Sequence, residues 1–284
     1  MTLKINTPLV SVDWLHHHLG DKNLVILDAT IPKVTSESSE QNKTKNQIKG
    51  ALFFDIKNTF SDTKASFPNT VLTPKEFEQK TQNLGIEKGS CIVVYDDLGI
   101  YSSPRVWWMF TLMGFTNIAV LNGGLPAWNA KKYPIEKPNN RALYKGDFLV
   151  NYQPEKLKFT QDVLSAIHNN QILIVDARSK GRFYATVPEP RDDVKGGHIP
   201  TSRSLPFSEL LSGDFMKTKE ELEEIFKNVN IKNQTYIFTC GTGITASILA
   251  FGAELVGIKK YAVYDGSWTE WGTTENLPIE IDEK

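Results

Sequence analysis

The stretch Ala119-Val120-Leu121-Asn122-Gly123-Gly124 returns later in the chain as Ala262-Val263-Tyr264-Asp265-Gly266-Ser267. The same offset carries Gly114 onto Gly257 and Trp128 onto Trp271. A self-match of this kind signals a duplicated structural unit and constrains the fold before any single element is assigned. Upstream, Asp28-Ala29 is echoed by Asp176-Ala177-Arg178, and Gln47-Ile48-Lys49-Gly50-Ala51 by His198-Ile199-Pro200-Thr201-Ser202, at offsets shifted by a few residues as loop insertions produce. Each half holds short apolar runs bounded by polar residues. In the first these are Leu24-Val25-Ile26-Leu27, Cys91-Ile92-Val93-Val94-Tyr95 and Ile118-Ala119-Val120-Leu121. In the second they are Ile172-Leu173-Ile174-Val175, Thr235-Tyr236-Ile237-Phe238 and Tyr261-Ala262-Val263-Tyr264. Such runs suit strands buried on both faces of a parallel sheet. Helical segments lie between them. One opens at Thr73-Pro74-Lys75-Glu76, with proline at its first position, and another at Thr218-Lys219-Glu220-Glu221, a capping-box pattern. The expected fold is therefore α/β, two tandem units, each a mainly parallel sheet flanked by helices.

The chain's 284 residues are enough for two cores. The expected division is residues 1–140, a linker at 141–158 that is polar and contains Gly146 and Pro154, and residues 159–284. The Ser/Thr/Asn/Lys-rich run at 35–45 reads as an exposed loop. A formal net charge of −1 gives no sign of a nucleic-acid partner. No apolar run is long enough to span a membrane, and residues 1–10 lack the basic and apolar regions of a secretory signal, so a cytoplasmic location is expected. The two cysteines, Cys91 and Cys240, are too few for a disulfide scaffold or an all-thiolate zinc site. His16-His17-His18 are consecutive and cannot share one helix face, so no metal is expected there.

At the common offset Cys240 falls on Asp97, a thiol in one half against a carboxylate in the other. This suggests one active and one inactive copy. Cys240 follows a buried strand and opens Cys240-Gly241-Thr242-Gly243-Ile244-Thr245, which leads into an apolar helix. Two glycines let the backbone curl so that successive N–H groups converge. The helix start adds its unpaired N–H groups and positive dipole end. Negative charge on a sulfur at that focus is stabilised, for a thiolate and for a persulfide alike. Cys91, mid-strand among Ile92, Val93 and Val94, reads as a structural residue.

Cys240-Gly241-Thr242-Gly243-Ile244-Thr245-Ala246 resembles the active loop of two-domain rhodaneses, in the form found in 3-mercaptopyruvate sulfurtransferases. The likeness runs along nearly the whole chain, through Phe53-Phe54-Asp55-Ile56, Ser103-Pro104-Arg105-Val106-Trp107-Trp108, Gly181-Arg182-Phe183, Glu189-Pro190-Arg191, Gly197-His198-Ile199-Pro200 and Asp265-Gly266-Ser267-Trp268-Thr269-Glu270-Trp271. The resemblance implies tandem rhodanese-like domains, with Cys240 catalytic in the second. It implies a substrate site formed by Arg182 and Arg191 with Gly241, Thr242, Gly243, Ile244 and Thr245. Arg182 and Arg191 would take the carboxylate and keto group of mercaptopyruvate. It also implies a small-molecule sulfur donor, a thiol acceptor such as thioredoxin (or cyanide), and no cofactor. The thiosulfate-preferring branch carries basic side chains just after the cysteine, and Gly241 and Thr242 are uncharged, which favours mercaptopyruvate. Thiosulfate is the alternative donor. The family histidine before Ile-Pro-Gly-Ala is replaced by Gln47, which cannot act as a general base. That histidine is dispensable, or turnover is slowed, or the substrate differs.

Two other classes compete. A cysteine phosphatase or arsenate reductase needs an arginine six positions after the cysteine, and that position is Ala246. A non-catalytic binding module would leave Cys240 without a task. Trp268 and Trp271 either wall the active loop or simply pack.

Overall fold

The computed structural model describes residues 2–31, 46–138, 144–229 and 234–281. The loop expected at 35–45 and residues 141–143 of the expected linker lie outside them. The chain divides into two compact units. The first comprises Met1–Thr63, Val71–Gln153 and Gly213–Phe215, and the second Lys64–Thr70, Pro154–Ser212 and Met216–Lys284.

In the first unit the strands are β1 (Leu9–Val10), β2 (Leu24–Asp28), β3 (Gln47–Ile48), β4 (Leu52–Phe53), β5 (Cys91–Tyr95), β6 (Ile118–Leu121) and β7 (Ile135–Glu136). Its helices are α1 (Val12–His18), α2 (Pro74–Asn83), α3 (Ser103–Leu112) and α4 (Gly124–Ala130). Five strands form one sheet in the order β1-β6-β5-β2-β4, with every pair parallel. β5 is central and buried at all five residues, so its apolar run serves both faces. Val93 and Tyr95 join Leu15 of α1 and Leu125 and Trp128 of α4 in one core cluster. An aromatic cluster of Phe54, Phe60, Phe77, Phe110 and Phe148 joins α2 and α3. Burying a side chain of that size contributes about 1.5–3 kcal/mol.

The second unit repeats the plan with β8 (Leu157–Lys158), β9 (Ile172–Asp176), β10 (Arg203–Ser204), β13 (Thr235–Thr239) and β14 (Tyr261–Tyr264); between β10 and β13 lies a short ribbon of β11 (Leu211–Ser212) and β12 (Phe215–Met216), of which Phe215 groups with the first unit. Its helices are α5 (Thr160–Ala166), α6 (Lys180–Phe183), α7 (Lys219–Val229), α8 (Ala246–Leu255) and α9 (Ser267–Thr273). Read from β8, its sheet runs β8-β14-β13-β9-β10, the order of the first unit, and it too is parallel throughout. The duplication seen in the sequence is thus a duplication of topology. The capping box expected at Thr218 is present. The Glu221 N–H donates to Thr218 Oγ1, and the Thr218 N–H to Glu221 Oε2. Trp268 and Trp271 are fully buried, in a core cluster with Val163 and Ala166 of α5 and Ile237 of β13. Their indole N–H groups donate to the Lys195 and Pro278 carbonyls, so both pack rather than present a face to ligand.

Asp28 ends β2, where its carboxylate accepts from the Thr30 N–H and the Tyr95 hydroxyl. Burial pushes its pKa above the ordinary carboxylate value, and those hydrogen bonds offset the shift only in part. A raised native pKa favours the protonated form on folding. The stabilisation is complete below the unfolded-state value and is lost as pH rises through the native one. Asp28→Asn is expected to flatten stability against pH over that window, as read by denaturant titrations across the acidic range.

Candidate active site at the Cys240 loop

β13 ends at Thr239, whose carbonyl accepts the Ala177 N–H at 2.8 Å. The chain then turns through Cys240 into α8. Gly243 sits at φ +79°, a conformation that disfavours any side chain, so the turn depends on glycine there. The loop is pinned by α9. The Cys240 N–H donates to Ser267 Oγ at 3.2 Å. The Cys240 and Gly241 carbonyls accept from the Trp268 and Thr269 N–H groups, both at 2.9 Å. On the helix side, Ser247 Oγ donates to the Gly243 carbonyl at 3.0 Å. The N–H groups of Ile244, Thr245 and Ala246 meet no acceptor among the described residues. Cys240 is 1% exposed, so the sulfur lies in a dry setting where hydrogen-bond donors act strongly.

The matching loop of the first unit shows what such a turn can hold. Strand register corrects the sequence pairing by one residue. Thr239 pairs with Asp176 as Tyr95 pairs with Asp28. The Trp268 N–H reaches the Cys240 carbonyl as the Leu125 N–H reaches that of Asp96. Cys240 therefore corresponds to Asp96, not Asp97. The first loop is one residue longer between strand and helix, which displaces a pairing counted back from the glycines. The Asp96 carboxylate fills its own loop. Oδ1 accepts from the Leu98 N–H, and Oδ2 from the N–H groups of Tyr101, Ser102 and Ser103 and from the Ser103 hydroxyl, at 2.6–3.0 Å. A negative charge at this position is thus held by the N–H groups leading into the helix.

Arg182, on α6, reaches the Cys240 loop. A Cβ built on Gly241 would lie 3.2 Å from Arg182 Nη2 and 3.8 Å from Nη1. Arg191 does not share that placement. Its Nε and Nη2 donate to Asp193 at 3.0 and 2.7 Å, and both side chains are about half exposed. Behind Arg182 stands a charge cluster that sequence reasoning did not assemble. Arg178 is buried; its guanidinium makes three hydrogen bonds to Asp176 and one to the Gly197 carbonyl, and lies 4.2 Å over the Trp268 ring. Burial works against its charge, but Asp176 and Glu189 outweigh it and hold its pKa above the ordinary value. Glu189 binds both arginines.

Asn69 was also missed. It belongs to the Lys64–Thr70 segment that groups with the second unit. Its Nδ2 donates to Thr242 Oγ1 at 3.1 Å, from the left-handed conformation asparagine tolerates (φ 62°). The only local signal is a Pro-Asn turn pair, which says nothing of so distant a partner.

Gln47 is accounted for within the first unit. Buried, it donates from Nε2 to the Ala51 carbonyl and to Glu136 Oε1, and Glu136 also accepts the Gly50 N–H. In the second unit His198 takes the same place. It bridges to Glu280, which accepts the Thr201 N–H, and its Nδ1–H donates to the Phe183 carbonyl. The Gln47 side chain thus ties its turn to β7 and the His198 side chain ties its turn to the end of α6, structural hydrogen bonds that an amide makes as well as an imidazole. Cys91 is fully buried, and burial pushes its thiol pKa up to about 11, with Asp21 adding to the shift, so it is not a thiolate at neutral pH.

The Rhodanese-like domain model matches residues 11–131 and 159–274. Thiosulfate/3-mercaptopyruvate sulfurtransferase 2 of Arabidopsis thaliana is 37% identical over 300 residues, covering 98% of this chain and 87% of that protein. The 3-mercaptopyruvate sulfurtransferase of Escherichia coli is 34% identical over 277 residues, covering 96% and 98%. A crystal structure of a 3-mercaptopyruvate sulfotransferase from Escherichia coli matches with a TM-score of 0.82 and 32% identity, over 93% of this chain and 99% of that one. With two copies of the family domain and relatives of this closeness along nearly its full length, the chain belongs to the rhodanese family and is a tandem-domain sulfurtransferase.

Proposed function

We propose that the chain is a 3-mercaptopyruvate sulfurtransferase with Cys240 as nucleophile. The Cys240 thiolate attacks the donor sulfur, a new S–S bond forms and the carbon–sulfur bond breaks. The leaving enolate takes up a proton to become pyruvate. The persulfide is then attacked at its outer sulfur by a thiol such as thioredoxin, or by cyanide to give thiocyanate, and the thiolate is restored. Asp96 motivates the cradle for the charged sulfur, since the equivalent loop holds a carboxylate on converging N–H groups. Arg182 is placed to receive the donor carboxylate, and Arg191 would have to leave Asp193 to reach the keto oxygen. Residues 159–284 carry the chemistry in this reading. Residues 1–140 serve as the inactive copy, with the carboxylate of Asp96 where a thiol would be needed.

One observation carries the choice of donor. Gly241 and Thr242 add no charge, and Arg182 with Arg178 is balanced by Asp176 and Glu189. With two arginines matched by two carboxylates, adding one negative charge costs less than adding two, which favours a carboxylate monoanion over the thiosulfate dianion. The expected result is a kcat/KM with cyanide as acceptor about tenfold or more higher for mercaptopyruvate than for thiosulfate, a difference of about 1.4 kcal/mol. A higher value for thiosulfate would keep the persulfide and overturn the donor. No described helix is long and apolar enough to cross a membrane.

A further inference from the structure

The Glu189 side chain is buried and pairs with both Arg182 and the interior Arg178, and among the described residues no hydrogen bond joins it to the Cys240 loop. On its inner side it accepts from Arg178 Nη1 at 2.8 Å. Arg178 has no freedom to follow a moving partner, because Asp176, the Gly197 carbonyl and the Trp268 ring hold it. On its outer side Glu189 accepts from Arg182 Nε at 3.2 Å and Nη2 at 2.5 Å, the side-on mode of a guanidinium–carboxylate pair. That contact occupies the Nε–Nη2 edge of Arg182. The other edge, with Nη1 and the second hydrogen of Nη2, is the one lying over Gly241. A guanidinium is planar and its donors are fixed in a fork, so setting one edge sets the other.

We propose that Glu189 is a positioning residue for the sulfur donor. It selects the edge of Arg182 that faces the donor carboxylate and, by sharing that charge, tunes the site toward a monoanion. The proposal rests on the reading that Arg182 binds the donor. A chain of contacts from Asp176 through Arg178, Glu189 and Arg182 to Gly241 runs from the end of the sheet to the active loop.

The test separates loading of Cys240 from its discharge. Cyanide attacks the preformed persulfide and needs no carboxylate grip, so a positioning role predicts an effect on loading alone. Glu189→Gln is expected to raise KM for mercaptopyruvate about tenfold with little change in kcat, the scale expected when a binding group is misplaced. Discharge of the preloaded persulfide by cyanide should stay within about twofold of the parent. In an Arg182→Met background the same change should add nothing, since the two residues act as one unit. Equal slowing of loading and discharge, or an undiminished effect without Arg182, overturns the proposal. If Glu189→Gln fails to fold, Glu189→Asp keeps the charge balance while withdrawing the carboxylate from Arg182. It should show a smaller rise in KM, and an unchanged KM overturns the proposal. If the parent protein takes up no sulfur, the sulfurtransfer reading at Cys240 fails first. If it loads normally and the Glu189 variants load as well as it does, only this inference falls.

Discussion

Cys240→Ser is expected to lower sulfur transfer to cyanide by about a thousandfold or more, because a serine hydroxyl forms no persulfide and no other thiol is available to replace it. The alternative carrier would be Cys91, which is fully buried in the central strand β5 with its pKa pushed up to about 11. The substitution should cost only about 1 kcal/mol of stability, since serine is similar in size and sits in a loop pinned through its backbone. Steady-state assays with thermal unfolding as control would read both quantities. Unchanged activity in a folded variant would support a binding role over a catalytic one.

The largest expected effect on stability belongs to Arg178. Its side chain is fully buried, paired with Asp176 and Glu189 and stacked on Trp268. Arg178→Met fills much of the same volume but leaves two buried carboxylates without their shared cation. Breaking a buried pair from one side typically costs about 3–5 kcal/mol. For a unit of this size that corresponds to a fall in Tm of about 10 °C or more, readable by calorimetry. A loss below about 1 kcal/mol would mean that water reaches Asp176 and Glu189 and that the cluster is not the rigid anchor described above.

The sequence carried the architecture because its signals were local and repeated. Apolar runs such as Cys91–Tyr95 and the matching glycines Gly123 and Gly266 after β6 and β14 state the duplicated sheet without reference to distant partners. Cys240 was legible for the same reason, since strand, glycine turn and helix are contiguous. The register of the first loop was not. A single extra residue between β5 and α3 shifts a count made from the glycines, and only the pairing of Tyr95 with Asp28 identifies Asp96 as the counterpart. Gln47 looked like a missing base because sequence assigns it a family position but not its bonds to Ala51 and Glu136. Arg182 and Arg191 looked equivalent, but a short side chain two positions on draws Arg191 to Asp193, while Glu189 turns Arg182 toward Gly241. Asn69 carried only the local Pro68-Asn69 turn signal, which says nothing of its partner Thr242 in the other half of the sequence.

The central claim is that Cys240 carries sulfur, and intact-mass measurement of the reduced protein after addition of 3-mercaptopyruvate tests it most directly. The account predicts a gain of one sulfur, about 32 Da, removed by cyanide and absent in Cys240→Ser, with Cys91 unchanged. No gain on the folded parent with either mercaptopyruvate or thiosulfate, or an equal gain in Cys240→Ser, would contradict it.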